Sequence, residues 1–193
     1  MSKSKKRTIT TVISMSIVAI LILLLYFYWT NRTDPLNEAS VENLSEVEQL
    51  LNKDLELYYP ETPRELVKLY SSMMKVLYTE IDDTQTKALA LKMRELCDTE
   101  FLDNNPEESY LNNLYTEIAA WKEKDRRITN FLLTDEDKNE NNVIDGKEYA
   151  TVYISYTFQE KSKFSETWRY LTRKNEEGDW KILGWEYVPE EEQ

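Results

Sequence analysis

The stretch EYATVYISYTFQ, residues 148–159, decides the fold because apolar and polar side chains alternate along it. β-Branched and aromatic residues are typical of strands, and a period of two indicates a strand with one buried face. The stretch therefore predicts a long strand with one core-facing row of side chains, made up of Val152, Ile154, Tyr156 and Phe158.

Three further stretches carry the same alternation and predict three more strands. They are ITNFLLT at 128–134, KFSETWRYLTRK at 163–174 and DWKILGWEYV at 179–188. The intervening NEEG at 175–178 predicts a hairpin turn in which Gly178 adopts a positive φ. These four strands predict an antiparallel sheet in the C-terminal half of the chain.

The last of these strands contains a break in its alternation. Trp180 and Ile182 fall on one face, whereas Trp185 and Tyr187 fall on the other in strict alternation. A phase change beside Gly184 predicts a β-bulge that bends the strand. The sheet is therefore expected to be curved, with Phe164, Trp168 and Tyr170 of the preceding strand on its apolar face.

Helical spacing precedes the strands. A first helix is expected at 45–57, and Thr62 followed by Pro63 and Glu65 predicts a capping box at the start of a second. A third should follow Asp83, and a fourth should begin with Asn105 as its cap. The predicted buried positions of the four helices are Val47, Leu50, Leu51 and Leu55; Leu66, Tyr70, Met73 and Leu77; Ala88, Leu89, Met93, Leu96 and Cys97; and Leu111, Leu114, Ile118 and Trp121.

The N-terminal segment predicts membrane attachment. Residues 8–29 carry no charge, and 22 residues in a helix can cross a hydrocarbon core of about 30 Å. The aromatic end of this segment suits a membrane interface, and the basic residues before it orient the N-terminus to the cytoplasm. We expect a cytoplasmic tail at 1–7, a transmembrane helix at 8–30, a tether at 31–44, an extracytoplasmic α+β domain at 45–188 and an acidic tail at 189–193, with the chain in the plasma membrane. A processed signal segment is the alternative.

Composition excludes several kinds of function. The chain has no histidine, which removes Ser-His-Asp and Cys-His catalysis and histidine-ligated metals. Four of its positive charges precede residue 8, so the remainder carries a net charge of −16 and should repel nucleic acid. Cys97, the single cysteine, falls on an apolar helix side and is expected to be buried and inert. The sequence thus predicts no catalytic residue and no cofactor.

One loop, DKNENNVIDGKE at 137–148, resembles a calcium-binding loop in the spacing of its oxygen ligands. The matching positions are Asp137, Asn139, Asn141, Val143, Asp145 and Glu148. An EF-hand needs flanking helices, whereas strand-like sequence lies on both sides here. We therefore expect a polar connection between antiparallel strands and no metal site, with a weak calcium site as the alternative.

The arrangement of helices followed by a bent antiparallel sheet resembles the nuclear-transport-factor-2-like superfamily, also called SnoaL-like or cystatin-like. The residues that carry this resemblance are DGKEYATV at 145–152 and EGDWKI at 177–182. The whole chain also resembles a family of uncharacterised single-pass bacterial membrane proteins, through KKR at 5–7, EVEQLL at 46–51, YPETPRE at 59–65 and WKILGWE at 180–186. The resemblance to the nuclear-transport-factor-2-like superfamily implies an α+β cone of curved sheet around helices, a fold used by ketosteroid isomerase and by membrane-tethered assembly scaffolds.

Three functions remain open at this point. The first is a membrane-anchored, extracytoplasmic interaction or ligand-binding module without catalytic activity, whose partner would be an extracytoplasmic protein or a ligand. The second is an enzyme or small-molecule binder with a carboxylate and tyrosine pocket inside the cone. The third is a calcium-binding surface protein. A deep cavity with a carboxylate facing a tyrosine would favour the second, and a cone filled by Trp121, Tyr156, Phe158 and Trp168 would exclude it.

Overall fold

The computed structural model describes residues 45–79, 81–134 and 141–189. The predicted cytoplasmic tail, transmembrane helix and tether lie outside these ranges, as do residues 190–193 of the predicted acidic tail. Among the residues described, no helix combines the length and the apolar character that crossing a membrane requires. A compact unit begins at Ser45, and the following description concerns that unit alone.

Five helices precede the sheet in the described part of the chain. They are α1 (Glu46–Asn52), α2 (Pro63–Leu77), α3 (Asp83–Glu95), α4 (Thr99–Asn104) and α5 (Glu107–Glu123). The predicted capping box of α2 is confirmed, since the Thr62 hydroxyl accepts from the Glu65 amide and the Glu65 carboxylate accepts from the Thr62 amide. Such reciprocal bonds satisfy amides that a helix start leaves unpaired.

The first helix is shorter than the sequence predicts. Ser45 caps it as expected, but it ends at Asn52 and residues 55–57 form a turn. Asp54 explains the early end, because its carboxylate accepts hydrogen bonds from the amides of Glu56 and Leu57. An aspartate that bonds to backbone amides just ahead of it offers the chain a turn in place of a helix.

Two other helix predictions were wrong. Asn105 does not cap α5: Pro106 precedes that helix without a side-chain cap, and Asn105 instead ends the short helix α4, which the sequence analysis missed. The side-chain amide nitrogen of Asn105 donates to the Phe101 carbonyl, so the Asn105 side chain is bonded to the preceding helix. Ala88 is exposed, and Ala90 takes its predicted place in the core.

The strands form one antiparallel sheet. They are β1 (Arg127–Leu133), β2 (Asn141–Ile144), β3 (Lys147–Gln159), β4 (Lys163–Lys174) and β5 (Trp180–Val188), in the order β1-β3-β4-β5, with β2 also paired to β3. The predicted α+β class is confirmed. The central strand β3 has the predicted alternation, with Val152, Ile154, Tyr156 and Phe158 all buried.

The predicted turn and bulge are both confirmed. Gly178 has φ +94° in the β4–β5 turn, which the Asn175 side chain closes by accepting from the Glu177 and Asp179 amides. The β4–β5 register shifts at Gly184, and the extra residue returns Trp185 to the face that carries Tyr170, its register partner. A second irregularity lies in β1, between Ile128 and Asn130.

A buried ion pair ties α4 to the sheet. Asp98 caps α4 by accepting from the Glu100 amide at 2.9 Å, and its carboxylate also accepts two hydrogen bonds from the Arg173 guanidinium on β4. Asp98 is 4% exposed. Burial by itself would raise the pKa of Asp98, but the hydrogen bonds from Arg173 and Glu100 hold it below its ordinary value.

The helices differ in how closely they approach the sheet. Helix α2 packs closely against β1, β3 and β5, whereas α5 is in extensive backbone contact with no other described element. Bulky side chains bridge that distance: Trp121 of α5 stacks on Tyr78 with ring centroids 3.9 Å apart, and its edge meets Phe158 of β3. Side-chain contacts, rather than close backbone packing, therefore connect α5 to the rest of the domain.

Candidate ligand-binding pocket

A cavity of about 270 Å³ lies between α5, α2 and the core face of the sheet. Ligand sites for drug-sized molecules usually measure about 300–1,000 Å³, so this cavity suits a smaller ligand. It is lined by Tyr70, Met74, Leu77, Tyr78, Met93, Phe101, Asn105, Tyr110, Asn113, Leu114, Glu117, Trp121, Phe158, Trp168 and Trp185. Eight of these fifteen side chains are aromatic, and three carry an amide or a carboxylate group.

The aromatic wall is a connected cluster of rings. Trp185 lies 5.5 Å from Tyr70, 5.2 Å from Phe101 and 5.8 Å from Tyr170, measured between ring centroids. Tilted and edge-on ring pairs at such distances are attractive beyond the burial of their surface. The β-bulge at Gly184 is what places Trp185 in this wall, because strict alternation would send its ring to the opposite face of the sheet.

Besides the tyrosine hydroxyl groups, the polar groups of the lining are the side chains of Asn105, Asn113 and Glu117. Glu117 and Asn113 are exposed, which places them at the opening rather than in the interior. Burial, followed by the charge of Glu117 and a hydrogen bond to its carboxylate, raises the pKa of Tyr78. The opening thus carries a carboxylate beside a tyrosine hydroxyl that remains protonated.

The other lining tyrosines are also neutral. Burial raises the pKa of Tyr70 well above its ordinary value and that of Tyr110 to about 12. A phenol in that state can donate or accept a hydrogen bond but does not supply a negative charge near neutral pH. Among the described residues that line the cavity, Glu117 is consequently the only one with a formal charge.

An arginine supports the cavity from outside. The Arg126 guanidinium lies over the rings of Trp121 at 4.8 Å, Phe158 at 4.4 Å and Phe164 at 5.3 Å. Glu166 accepts from Arg126 at 3.2 Å and from the Trp168 indole nitrogen at 3.1 Å. This chain of contacts orients three rings of the lining, since a guanidinium stacks favourably on aromatic faces. The lining rings it reaches are Trp121, Phe158 and Trp168.

A chain of buried hydroxyl groups lies in the core next to the cavity. Tyr156 is 2.6 Å from the Ser71 hydroxyl and 2.9 Å from that of Tyr170, and Tyr170 donates to the Met74 sulfur at 3.9 Å. A thioether can only accept, so a consistent direction of donation runs from Ser71 through Tyr156 and Tyr170 to Met74. Tyr170 and Tyr156 are completely buried. The series of hydrogen bonds ends at Met74, which lines the cavity.

The structure places four of the six residues that match the calcium-loop pattern in a hairpin. Asn141 and Val143 belong to β2, Asp145 begins a two-residue turn with φ +51°, and Glu148 is the register partner of Val143 on β3. Asp137 and Asn139 lie outside the described residues. Within the ranges described, no cluster of three or more Asp, Glu or Cys side chains is placed to hold a metal ion.

Strand β2 itself was not predicted. The stretch NNVI carries only two apolar residues, Val143 and Ile144, and both are exposed, so burial does not drive its formation. The Asp145-Gly146 turn does, because both residues have positive φ and this geometry matches the twist of paired strands. The predicted polar connection thus contains a short strand paired with the start of β3.

Cys97 is buried, as predicted from the sequence, with 6% of its surface exposed. Burial raises the pKa of its thiol to about 12. The residues on either side of Cys97 pair with strand β5, because the Ile182 amide donates to the Leu96 carbonyl and the Asp98 amide donates to the Ile182 carbonyl. The residue therefore serves packing, and a thiol with so high a pKa is a poor nucleophile.

The cavity was not predicted from the sequence, although one signal for it is visible in α5. Tyr110, Asn113, Glu117 and Trp121 continue the apolar stripe of Leu114 with helical spacing. Polar groups set among aromatic ones on the inward side of a helix are typical of a binding surface rather than of a filled core. Four rings were named above as those that would exclude a pocket by filling the cone. Trp121, Phe158 and Trp168 line the cavity, and Tyr156 packs in the core.

Fold and pocket together define a class of protein: an α+β domain whose helices cover one face of an antiparallel sheet and enclose a small aromatic cavity. The chain belongs to the family described as a domain of unknown function, DUF6715, whose model matches residues 1–185. The match includes the 44 residues that precede the described domain. No curated protein matches the chain.

Proposed function

We propose that this protein is a non-catalytic ligand-binding module that holds a small, largely apolar molecule in the cavity between α5 and the sheet. The observation that carries the proposal is the aromatic cavity of about 270 Å³, whose lining includes the exposed polar side chains of Asn113 and Glu117. An apolar interior gives affinity by burying the ligand, and a few polar groups at one side orient it.

The chemistry of the lining favours binding over catalysis. General acid–base catalysis works best with a group whose pKa lies near the working pH. The lining tyrosines have raised pKa values. The carboxylate of Glu117 lies at the exposed opening, where water solvates it, and not in the apolar interior. The adjacent Tyr78 and Glu117 are the observation that favours the alternative, an enzyme; that reading requires a substrate whose reacting atom sits at the opening.

The membrane location belongs to the same proposal. In it, residues 8–30 span the plasma membrane, residues 31–44 form a tether, and the described domain is extracytoplasmic. The supporting features are the uncharged segment and the basic residues before it. Protease added to intact cells should then digest the domain, and a domain that stays intact under those conditions would contradict this location.

The fold is further proposed to be a nuclear-transport-factor-2-like cone. Helices on a single face of an antiparallel sheet, together with a bulge in β5 and an irregularity in β1, support a curved sheet that wraps around them. In such a cone the cavity lies where α5 closes the open side.

Ligand-observed NMR tests the binding proposal with a library of small planar molecules. Members with one or two rings are expected to receive saturation transfer from the full-length chain. Asn113→Phe places a ring at the opening and should abolish the transfer, whereas Asn112→Phe changes the adjacent residue, which is exposed and outside the lining. Equal binding by both variants would show that the molecules bind elsewhere.

A further inference from the structure

We propose that the ligand of this cavity is a protonated amine, specifically a small planar aromatic molecule with an ammonium group on a short arm. This inference rests on the proposed function and specifies the ligand class of the same site. It assigns Glu117 the role of binding the ammonium group at the opening, while the rings of the interior bind the planar part.

The first argument is the unused capacity of the Glu117 carboxylate. A carboxylate can accept about four hydrogen bonds, and Glu117 lines the cavity with an exposed side chain that a ligand can reach. Across residues 45–79, 81–134 and 141–189, no lysine or arginine forms an ion pair with Glu117. A ligand ammonium group, with three donors, matches this acceptor.

The second argument is the placement of the nearest arginines. Arg126 lies behind Trp121 and is paired with Glu160 at 3.7 Å and Glu166 at 3.2 Å. Arg94 lies over the Tyr110 ring at 4.9 Å and donates to the Asn105 carbonyl at 2.8 Å. Neither arginine lines the cavity, so the formal charge that a ligand meets among the described lining residues is the negative charge of Glu117 at the opening.

The third argument is the combination of aromatic walls and domain charge. Aromatic faces attract ammonium groups, and this lining includes three of the five tryptophans of the chain. The net charge of −16 beyond residue 7 also raises the local concentration of cations over that of anions. Size then limits the organic part to one ring or one fused pair of rings.

Calorimetric titration of the full-length chain with three matched probes tests the inference. Tryptamine, 3-ethylindole and indole-3-propionate share a ring system and a two-carbon arm. The arm carries an ammonium group in tryptamine, a carboxylate group in indole-3-propionate and no further group in 3-ethylindole. Tryptamine is expected to bind about tenfold more tightly than 3-ethylindole, which is the strength of one charge-assisted hydrogen bond. Indole-3-propionate should bind most weakly.

Two variants identify the group responsible. Glu117→Gln should remove the preference for tryptamine over 3-ethylindole, whereas Glu123→Gln, the same change of charge at an exposed position outside the lining, should retain it. A preference that survives in Glu117→Gln would overturn the inference, as would equal or tighter binding of the neutral or the anionic probe to the unchanged chain. In those cases binding itself remains, and the proposed function stands. If the unchanged chain bound none of the three probes, both the inference and the proposed function would be overturned.

Discussion

Replacing Tyr156 by Phe removes one hydroxyl group from the centre of the core while keeping the ring that packs there. Tyr156 is fully buried, and its hydroxyl joins those of Ser71 and Tyr170 at 2.6 and 2.9 Å. The substitution therefore breaks two buried hydrogen bonds without opening a large cavity. Tyr170 retains only the Met74 sulfur at 3.9 Å, a weak acceptor.

The expected magnitude follows from the partners that are left behind. A buried hydroxyl without a partner costs about 1–3 kcal/mol, but Ser71 lies in α2 and can turn to a carbonyl of the preceding helical turn, which reduces its share. We therefore expect Tyr156→Phe to lower the free energy of unfolding by about 2 kcal/mol. For a domain of this size the midpoint of thermal unfolding should fall by about 4–8 °C.

Thermal unfolding followed by near-ultraviolet circular dichroism measures the effect on the full-length chain. The matched control is Tyr187→Phe, because Tyr187 is 51% exposed and its hydroxyl can bond to water; it should change stability by less than about 0.5 kcal/mol. Adding Ser71→Ala to Tyr156→Phe should cost about 1 kcal/mol less than the sum of the single changes, since the two groups interact. Strict additivity, or an unchanged midpoint in Tyr156→Phe, would refute the hydroxyl chain.

Three further predictions concern charge, reactivity and the support of the cavity. The pKa of Asp98 is lowered in the folded state, so the contribution of Asp98 to stability is complete above its ordinary pKa of 3.8 and disappears as the pH falls through and below that value. Between pH 7 and pH 3, the free energy of unfolding measured with urea should therefore fall more for the unchanged chain than for Asp98→Asn. Equal decreases would contradict the pairing of Asp98 with Arg173. Cys97 is buried with a pKa near 12, so Ellman's reagent at pH 8 should react with it only after denaturation; rapid reaction of the native protein would show that it is accessible. Arg126→Lys keeps the charge but loses the planar stacking on Trp121, and should cost about 1–2 kcal/mol and shift tryptophan emission to longer wavelength; an unchanged spectrum would indicate that the guanidinium does not orient the ring.

Most of the sheet could be predicted because its signals are local. The alternation of β3, the positive φ of Gly178 and the bulge at Gly184 all follow from residues within one strand or turn. The same holds for the capping box of Thr62 and Glu65. Each of these features depends on interactions a few residues apart, which a sequence shows directly.

The errors arose where tertiary contacts or competing local bonds decided the outcome. Asn105 resembles a helix cap, but its side chain bonds backward to Phe101 of α4, a helix of six residues that is too short to show a periodic pattern. Strand β2 forms because a two-residue turn at Asp145 places it beside β3, although both of its apolar side chains are exposed.

The cavity could be predicted only in part for a related reason. The sequence identifies Trp121, Phe158 and Trp168 as inward-facing, but whether such rings fill a core or line a space depends on the distance between α5 and the sheet. That distance is set by ring stacking between residues far apart in the chain, such as Tyr78 on Trp121, and by Arg126 behind them. The position of Glu117 at the opening follows from the same packing.

The most direct test of the binding site is a methyl NMR titration of the full-length chain labelled at its methionines. Met74 and Met93 line the cavity, whereas the neighbouring Met73 is fully buried outside the lining and serves as an internal control. Tryptamine should shift the methyl signals of Met74 and Met93 in a saturable manner and leave that of Met73 in place. Shifts that are absent from both lining methionines, or equal at all three, would contradict a ligand site between α5 and the sheet.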